Sequence, residues 1–343
     1  MHNKYTTPMT SINDQFTSHQ ATLPRLPIPN LADSLTKLLK WSRALLTPEE
    51  RLESEKAVSK FLNSKEPDQG TALQTKLIDY DKTTEFCTYF EEFWNEAYLN
   101  PNTSVVLNLN PFFVLEDDPT PGGNSQEMRA SSLVYSSLKF VSDLRRGMCT
   151  PDLVGRNKTP LDMSQFRQLF STARVPSEGS DSIQVDETAT HVVVLRQGQF
   201  YYFDALWPTG EVAVTQMDLA RNFHAIINDA AERDPVRSAM QAVGVLTAAN
   251  RGTWAKTRMS MVKHHKKNQD VFKIIDSALF IVCLDDCSPE SIDDRAANML
   301  HGSYNLQQNT SAHEGYLQTG TLTNRWYDKL QLIICENGAA GIK

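Results

Sequence analysis

The chain has no excess of positive charge, no long apolar run and no even set of cysteines. Each absence closes a class of function. Its 343 residues carry 34 Lys and Arg against 41 Asp and Glu, a formal charge of −7. That balance lacks the basic footprint by which a non-specific nucleic-acid binder displaces counterions. No apolar stretch approaches the roughly 20 residues that span a bilayer. The longest, Ala278–Leu284, has the length of a strand. The five cysteines are Cys87, Cys149, Cys283, Cys287 and Cys335. An odd count in a long chain speaks against a disulfide framework and for a reducing compartment. The first residues, MHNKYTTPMTSINDQFTSHQ, have neither a signal-peptide core nor an Arg-rich amphipathic face. The expected location is therefore the cytosol or the cytosolic surface of an organelle. No glycine loop has dinucleotide or P-loop spacing.

What is present is enough for a packed core: 40% of residues are hydrophobic and 9% aromatic, which rules out global disorder. Residues 1–22 are polar and expected to be disordered. Prolines alternate in LPRLPIPN (Leu23–Asn30) and hold it extended. Leu31, Leu35, Leu38, Leu39, Leu45 and Leu46 then recur at helical spacing. Thr47, Pro48 and Glu50 make a capping box that starts a second helix. Phe86, Tyr89, Phe90, Phe93, Trp94 and Tyr98 form a further aromatic helical stripe. The expected organisation is a tail over 1–22, a helical segment over 23–99 and an α/β domain over 100–343.

In that last region, Ser104–Phe113 reads as a strand ended by proline and Asp117–Asn124 as a loop. Met128–Arg146 reads as a helix closed by Gly147. HVVVLRQGQFYYFDAL (His191–Leu206) is a hairpin. Ala278–Asp286 and Leu330–Gly341 are strands apolar enough to be covered on both faces. Helices are expected near Met217–Glu232, Trp254–His265 and Asp270–Ile275. Helices first, then strands and helices mixed, make a layered α/β or α+β architecture.

Candidate chemistry is sparse. His264, His265, Lys266 and Lys267 could meet a phosphate or acidic ligand, but read as a solvated helix end whose cations offset the dipole. Cys283 and Cys287 have no further ligands at metal spacing, so they read as a buried thiol on a strand and a second in its loop. His191, His224, His301 and His313 lie in no nucleophile motif and read as packed or surface histidines. The small residues of ENGAAG (Glu336–Gly341) allow close approach either of a ligand or of another backbone. Arg325 and Asp328 read as a structural ion pair.

A definite function comes from resemblance. LPRLPIPNLADSLTKLL resembles the N-terminal signature of the choline/carnitine acyltransferase family. NLNPFF (Asn108–Phe113), RASSLVYSSLKF (Arg129–Phe140) and TPLDMSQFRQLFSTARVPSEGSD (Thr159–Asp181) resemble further family stretches. The His191–Leu206 hairpin, LTAANRGTWAKTR (Leu246–Arg258), SALFIVCLDD (Ser277–Asp286) and NRWYDKLQLI (Asn324–Ile333) follow in the family's order. The similarity runs from residue 23 to residue 342 and is strongest to fungal carnitine acetyltransferases.

The resemblance implies an α/β fold like that of chloramphenicol acetyltransferase, with a mixed sheet and flanking helices. It implies carnitine and acyl-CoA as substrates, CoA or acetyl-CoA as co-substrate with no bound cofactor or metal, and reversible acetyl transfer. In the family a histidine general base sits in a Glu-His dipeptide just beyond the stretch that ENGAAGI matches. This chain is therefore expected to be an N-terminal portion that itself holds no catalytic residue. The missing domain is expected to cover its exposed face. Tyr98 matches a tyrosine the family places beside carnitine, or else is an aromatic core contact. Glu336, Asn337, Gly338 and Gly341 are expected as a site wall. The alternatives are a non-catalytic truncated member acting as a binding or regulatory partner, or a preference for choline or a longer acyl chain. The expected location is cytoplasmic, with association at the mitochondrial outer surface.

Overall fold

A computed structural model describes residues 18–84, 88–308 and 316–343. It divides into two compact units, Pro24–Tyr98 and Leu99–Lys343 with the residues before Pro24. Phe86, Cys87 and His313 lie outside the described residues, as do residues 1–17.

The smaller unit is helical: α1 (Leu31–Ser42), α2 (Pro48–Leu62), α3 (Gly70–Thr83) and α4 (Phe90–Leu99). The alternating prolines lead extended into α1, where the Asn30 side chain accepts from the Asp33 amide at 3.2 Å. Gln74 of α3 accepts from the Leu31 amide at 2.7 Å and donates to the Pro29 carbonyl at 2.8 Å, pinning this entry to the helices. Helix α1 stops at Ser42, so Leu45 and Leu46 fall in the following turn rather than on its stripe. The capping box of α2 is complete: Glu50 accepts from the Thr47 amide at 2.8 Å, and Thr47 accepts from the Glu50 amide at 3.3 Å.

The larger unit begins with α5 (Val105–Asn108), β1 (Phe113–Leu115) and α6 (Gln126–Arg145). Two small ribbons follow, β2 (Leu153–Val154) with β3 (Thr159–Pro160), and β4 (Thr172–Val175) with β5 (Ser182–Val185). Then come β6 (His191–Arg196), β7 (Gln199–Asp204), α7 (Gln216–Ala231), α8 (Pro235–Met240), α9 (Arg251–His264) and α10 (Lys267–Ser277). The chain continues through β8 (Ile281–Leu284), α11 (Ile292–His301), β9 (Leu306–Gln308), β10 (Tyr316–Gln318), β11 (Gln331–Ile334) and β12 (Ala340–Ile342). The main sheet has the order β1-β12-β11-β8-β6-β7, with β6, β8 and β11 parallel and the other pairs antiparallel. The architecture is mixed α/β. No helix among the described residues is long and apolar enough to cross a membrane.

Period-two alternation explains the two-sided burial. Val192, Val194, Val282, Leu284, Leu332 and Ile334 face one side, where Val134 and Leu138 of α6 and Leu219 and Phe223 of α7 cover them. Val193, Leu195, Ile281, Cys283, Ile333 and Cys335 face the other, under Trp254 of α9, Phe272 of α10, Met299 of α11 and Trp326. Each fully buried large side chain contributes about 1.5–3 kcal/mol. The two layers therefore hold the sheet without help from disulfides. Gln197 and Gly198 both have positive φ (48° and 73°), which makes the β6–β7 turn the tight hairpin expected from the sequence.

Two expectations need correction. Ser104–Phe113 is not one strand. Val105 and Val106, neighbours in sequence, are both buried beside Tyr327, whereas strand alternation would send them to opposite faces. The Ser104 hydroxyl caps the short helix by accepting from the Val106 amide at 3.3 Å, and the strand starts only after Pro111. Leu330–Gly341 is a hairpin rather than a single strand: β11 turns through Glu336–Ala339 into antiparallel β12.

That turn is rigid for a local reason. Gly338 has φ of +80°, and a Cβ there would stand 2.3 Å from the Asn124 carbonyl oxygen, backbone that cannot yield. Gly338→Ala is expected to cost more than about 1 kcal/mol of stability. A urea midpoint unchanged from wild type would show that the turn is free to move off Asn124.

Candidate functional site

Because β6, β8 and β11 run parallel, their carboxyl ends meet at one end of the sheet, where open α/β sheets place ligands. Asp285, directly after β8, is wholly buried there. The Arg325 guanidinium donates to both of its oxygens, at 2.8 Å each. Asn298 donates to it at 2.8 Å and Asn324 at 3.3 Å. Burial favours the neutral form of Arg325, but the Asp285 carboxylate outweighs it and holds the guanidinium pKa above its ordinary value. Gln126, at the start of α6, donates to the Asp285 and Ile334 carbonyls at 2.7 and 2.8 Å, tying the ends of β8 and β11 together. Arg196 closes β6, donating to the Leu284 carbonyl at 3.2 Å and reaching Glu336 at 3.3 Å on the rim.

The expected pairing of Arg325 with Asp328 is not formed. A turn at Tyr327 and Asp328 sends the two side chains to different partners. Asp328 accepts from Arg251 and from the Trp254 indole, both at 2.7 Å. Arg251 also binds Asp181 at 2.6 Å, where Arg174 makes a second contact at 2.6 Å. Lys329, next in the chain, donates to the Thr172 and Asp276 carbonyls at 2.8 and 2.7 Å, and burial pulls its pKa down to about 7. The segment NRWYDK is thus buried throughout, and its polar side chains bond to α9, α10 and α11, the helices on one face of the sheet.

Glu336, Asn337, Gly338 and Gly341 all lie on the β11–β12 hairpin. Glu336 is about half exposed. Asn337 donates to the Pro289 carbonyl at 2.9 Å and accepts from the Ala339 amide at 3.2 Å. Gly341 sits under Met299 and against the Phe113 carbonyl, with space for no side chain. The space left by these small residues is therefore filled by protein. Since β12 runs antiparallel to β11, Glu336–Gly338 stand at one end of the sheet, and Ile342 and Lys343 at the other. There the Lys343 ammonium donates to the Val106 and Asn110 carbonyls at 2.6 and 2.8 Å, and burial lowers its pKa to about 8. Tyr98 belongs to the helical unit, on the last turn of α4, partly exposed, with its ring tilted against Trp94 at 4.9 Å between centroids.

Among the described residues, the histidines are packed or on the surface. His191 donates to the Ile274 carbonyl at 2.7 Å, His301 to the Gly302 carbonyl at 2.6 Å, and His224 lies exposed beside Glu127. His264, His265, Lys266 and Lys267 are exposed, but only His264 and His265 end a helix, α9; Lys266 and Lys267 open α10, so the four do not form one helix end whose dipole they offset. Cys283 is fully buried on β8, donates to Gln331 at 3.5 Å, and has its thiol pushed up to about 12 by burial. Cys287 does not meet Cys283 but Cys335, at 3.8 Å between sulfurs, with an Asp285 oxygen within 4.8 Å. Elsewhere in the unit, a cleft of about 510 Å³ is walled by Phe166, Phe170, Arg145 and Arg167.

Sequence inspection overlooked Asp285, Asn298, Gln126 and the Asp181–Arg251 link. The one local signal was an acidic pair directly after a fully apolar strand, in FIVCLDD. Asn298 lies 13 residues on, and Gln126 and the Asp181–Arg251 link join residues 70 or more apart; none carries a local mark.

A parallel-centred sheet, covered on both faces and closed by an antiparallel hairpin, sets the class as an α/β domain with its polar network at the strand ends. The chain belongs to the choline/carnitine O-acyltransferase family: the family model described as Choline/Carnitine o-acyltransferase matches residues 26–343. A Saccharomyces cerevisiae protein provisionally named as a mitochondrial carnitine O-acetyltransferase is 38% identical over 93% of this chain and 49% of its own length. The mitochondrial carnitine O-palmitoyltransferase 2 of Xenopus tropicalis is 30% identical over 94% of the chain and 49% of its own. Human choline O-acetyltransferase is 28% identical over 95% and 42%. The chain thus spans about half the length of the curated relatives it matches.

Two outcomes follow from the buried charges. Arg325→Met leaves Asp285 charged and unpaired and is expected to cost about 3–5 kcal/mol. Adding Asp285→Leu should recover part of that loss in urea melts, whereas a double variant as weak as the single would exclude the pair as the cause. For Lys329, the folded pKa of about 7 lies below the ordinary lysine value of 10.5. Between those pH values the unfolded chain binds more protons, so stability rises with pH and is level below 7. Lys329→Met should remove a rise of about 1 kcal/mol per pH unit between pH 7.5 and 9. The check is the difference between wild type and variant across that window.

Proposed function

We propose that the protein to which this chain belongs is a carnitine O-acetyltransferase, moving an acetyl or other short acyl group reversibly between CoA and carnitine. The observation that supports this most is the uninterrupted family match over residues 26–343, with a 38% identical relative named for that reaction. The carnitine hydroxyl is a weak nucleophile at neutral pH and needs a positioned base. In the family that base is a histidine just beyond the stretch matched by β12. The tetrahedral intermediate then needs donors aimed at its oxyanion. This chain would supply one wall of the acyl-transfer channel. In that wall, β12 with Gly341 leads to the base, and the turn of Glu336, Asn337 and Gly338 sets the strand's register. The remaining length that the relatives carry would face it and supply the other wall. Tyr98 is the residue we place beside carnitine. Two relatives named as mitochondrial support association with that organelle; the cytoplasmic face is our reading of the composition alone.

The palmitoyl- and choline-transferring relatives make acyl length and acceptor the points to test. The full-length protein should be assayed for CoA release with acetyl-, octanoyl- and palmitoyl-CoA against carnitine and choline. Acetyl-CoA with carnitine is expected to give the highest kcat/KM, and a preference for palmitoyl-CoA or for choline overturns the assignment. Tyr98→Phe should raise the KM for carnitine about 2- to 10-fold, the size of one lost hydrogen bond, with little change for acyl-CoA. An unaltered carnitine KM removes Tyr98 from the site.

A further inference from the structure

We propose that Cys287 and Cys335 form a reversible dithiol–disulfide pair, a modification site for two-electron oxidants of the peroxide class. Their sulfurs stand 3.8 Å apart, so bonding at about 2.05 Å requires closure by less than about 2 Å. The backbone already holds the two segments side by side. Ile334 is in parallel register with Leu284, and the Glu336 amide donates to the Cys287 carbonyl at 2.9 Å. Rotation of side chains, rather than movement of strands, can therefore bring the sulfurs together.

The two cysteines differ in a way that assigns their roles. Cys287 is half-buried, in the loop after β8, and an oxidant of small size can reach it. Cys335 is fully buried at the end of β11, and Asn298 steadies it by donating to its sulfur at 3.4 Å. The hydrogen bond with Cys287, and then burial, raise the Cys335 pKa, so its thiol stays protonated until it reacts. Cys283 is not a competitor, since it is fully buried and turned to Gln331. Nor does the third polar neighbour favour a metal ion: both oxygens of Asp285 are engaged by Arg325, which leaves only two thiols.

The chemistry balances with hydrogen peroxide as oxidant. The Cys287 thiolate attacks one peroxide oxygen and the O–O bond breaks. The products are a sulfenic acid and, with a proton, one water. The Cys335 sulfur then attacks the sulfenic sulfur. The S–S bond forms, the S–O bond breaks, and hydroxide leaves with the Cys335 proton as a second water. The two thiols together give two electrons to the peroxide. A thiol reductant of the glutathione class reverses the step. The bond would staple the loop after β8 to the turn that leads into β12, on the edge of the sheet organised by Asp285.

The test is peptide mapping of the native full chain after limiting hydrogen peroxide, with iodoacetamide quenching in denaturant and digestion without reductant. The expected product is a single cross-linked peptide containing Cys287 and Cys335, with loss of two titratable thiols per chain, both reversed by dithiothreitol. Cys287→Ser should abolish the cross-link while keeping the wild-type denaturation midpoint, and Cys149→Ser should leave the cross-link intact. The proposal is overturned if Cys335 is recovered as an alkylated thiol while Cys287 is oxidised to sulfinic acid. It is equally overturned if Cys287 is joined to a different cysteine. Both results are read on wild-type protein and do not depend on how the variants fold.

Discussion

The buried pair of Asp285 and Arg325 is the constraint on which the larger unit depends. Two charges with no solvent contact are tolerable only when each is matched in geometry as well as sign. Here the guanidinium meets the carboxylate through two parallel bonds, and Asn298 and Asn324 use further donors on the same group. Asp285 ends a central strand, Arg325 precedes the next parallel strand, and Asn298 lies on α11. One carboxylate thereby fixes three segments that are distant in sequence. Gln126 adds a fourth by bridging the Asp285 and Ile334 carbonyls from the start of α6. Apolar residues of similar volume are often as stabilising as a buried ion pair, but breaking the pair by removing one partner leaves an uncompensated buried charge.

From that fixed edge the rest of the geometry follows. The carboxyl ends of β6, β8 and β11 are held level, so Arg196, Asp285 and Glu336 line one end of the sheet. The β11–β12 hairpin then carries the chain back across the sheet and delivers Ile342 to the opposite end, beside α5. In the proposed function, that reversal separates the ordered turn from the position where the family's base follows. The same turn brings Cys335 against Cys287, so a pair of reactive sulfurs is a by-product of the strand register that organises the fold.

Much of the architecture was legible beforehand, for identifiable reasons. The capping box at Thr47, the hairpin at Gln197–Gly198 and the two-sided burial of Ile281–Leu284 each depend on a few consecutive residues. The failures were also local in cause. Ser104–Phe113 is β-rich in composition, but Ser104 caps a helical turn and Val105 and Val106 are both buried beside Tyr327. Arg325 and Asp328 are close in sequence and of opposite sign, yet each found a better partner across the core. Propensity and sign are short-range information, and tertiary packing overrode both.

The sequence by itself determined the family and its mixed α/β class, because long ordered stretches such as NRWYDKLQLI and the His191–Leu206 hairpin carry that information in consecutive residues. It also determined the apolar alternation that makes β6, β8 and β11 inner strands. Only the tertiary structure decided which charges pair, that β11 turns back as β12, and that Cys287 faces Cys335 rather than Cys283. Those outcomes depend on contacts between residues tens to hundreds of positions apart. Desolvation leaves each buried ion or thiol only the partner that the packed layers place within reach.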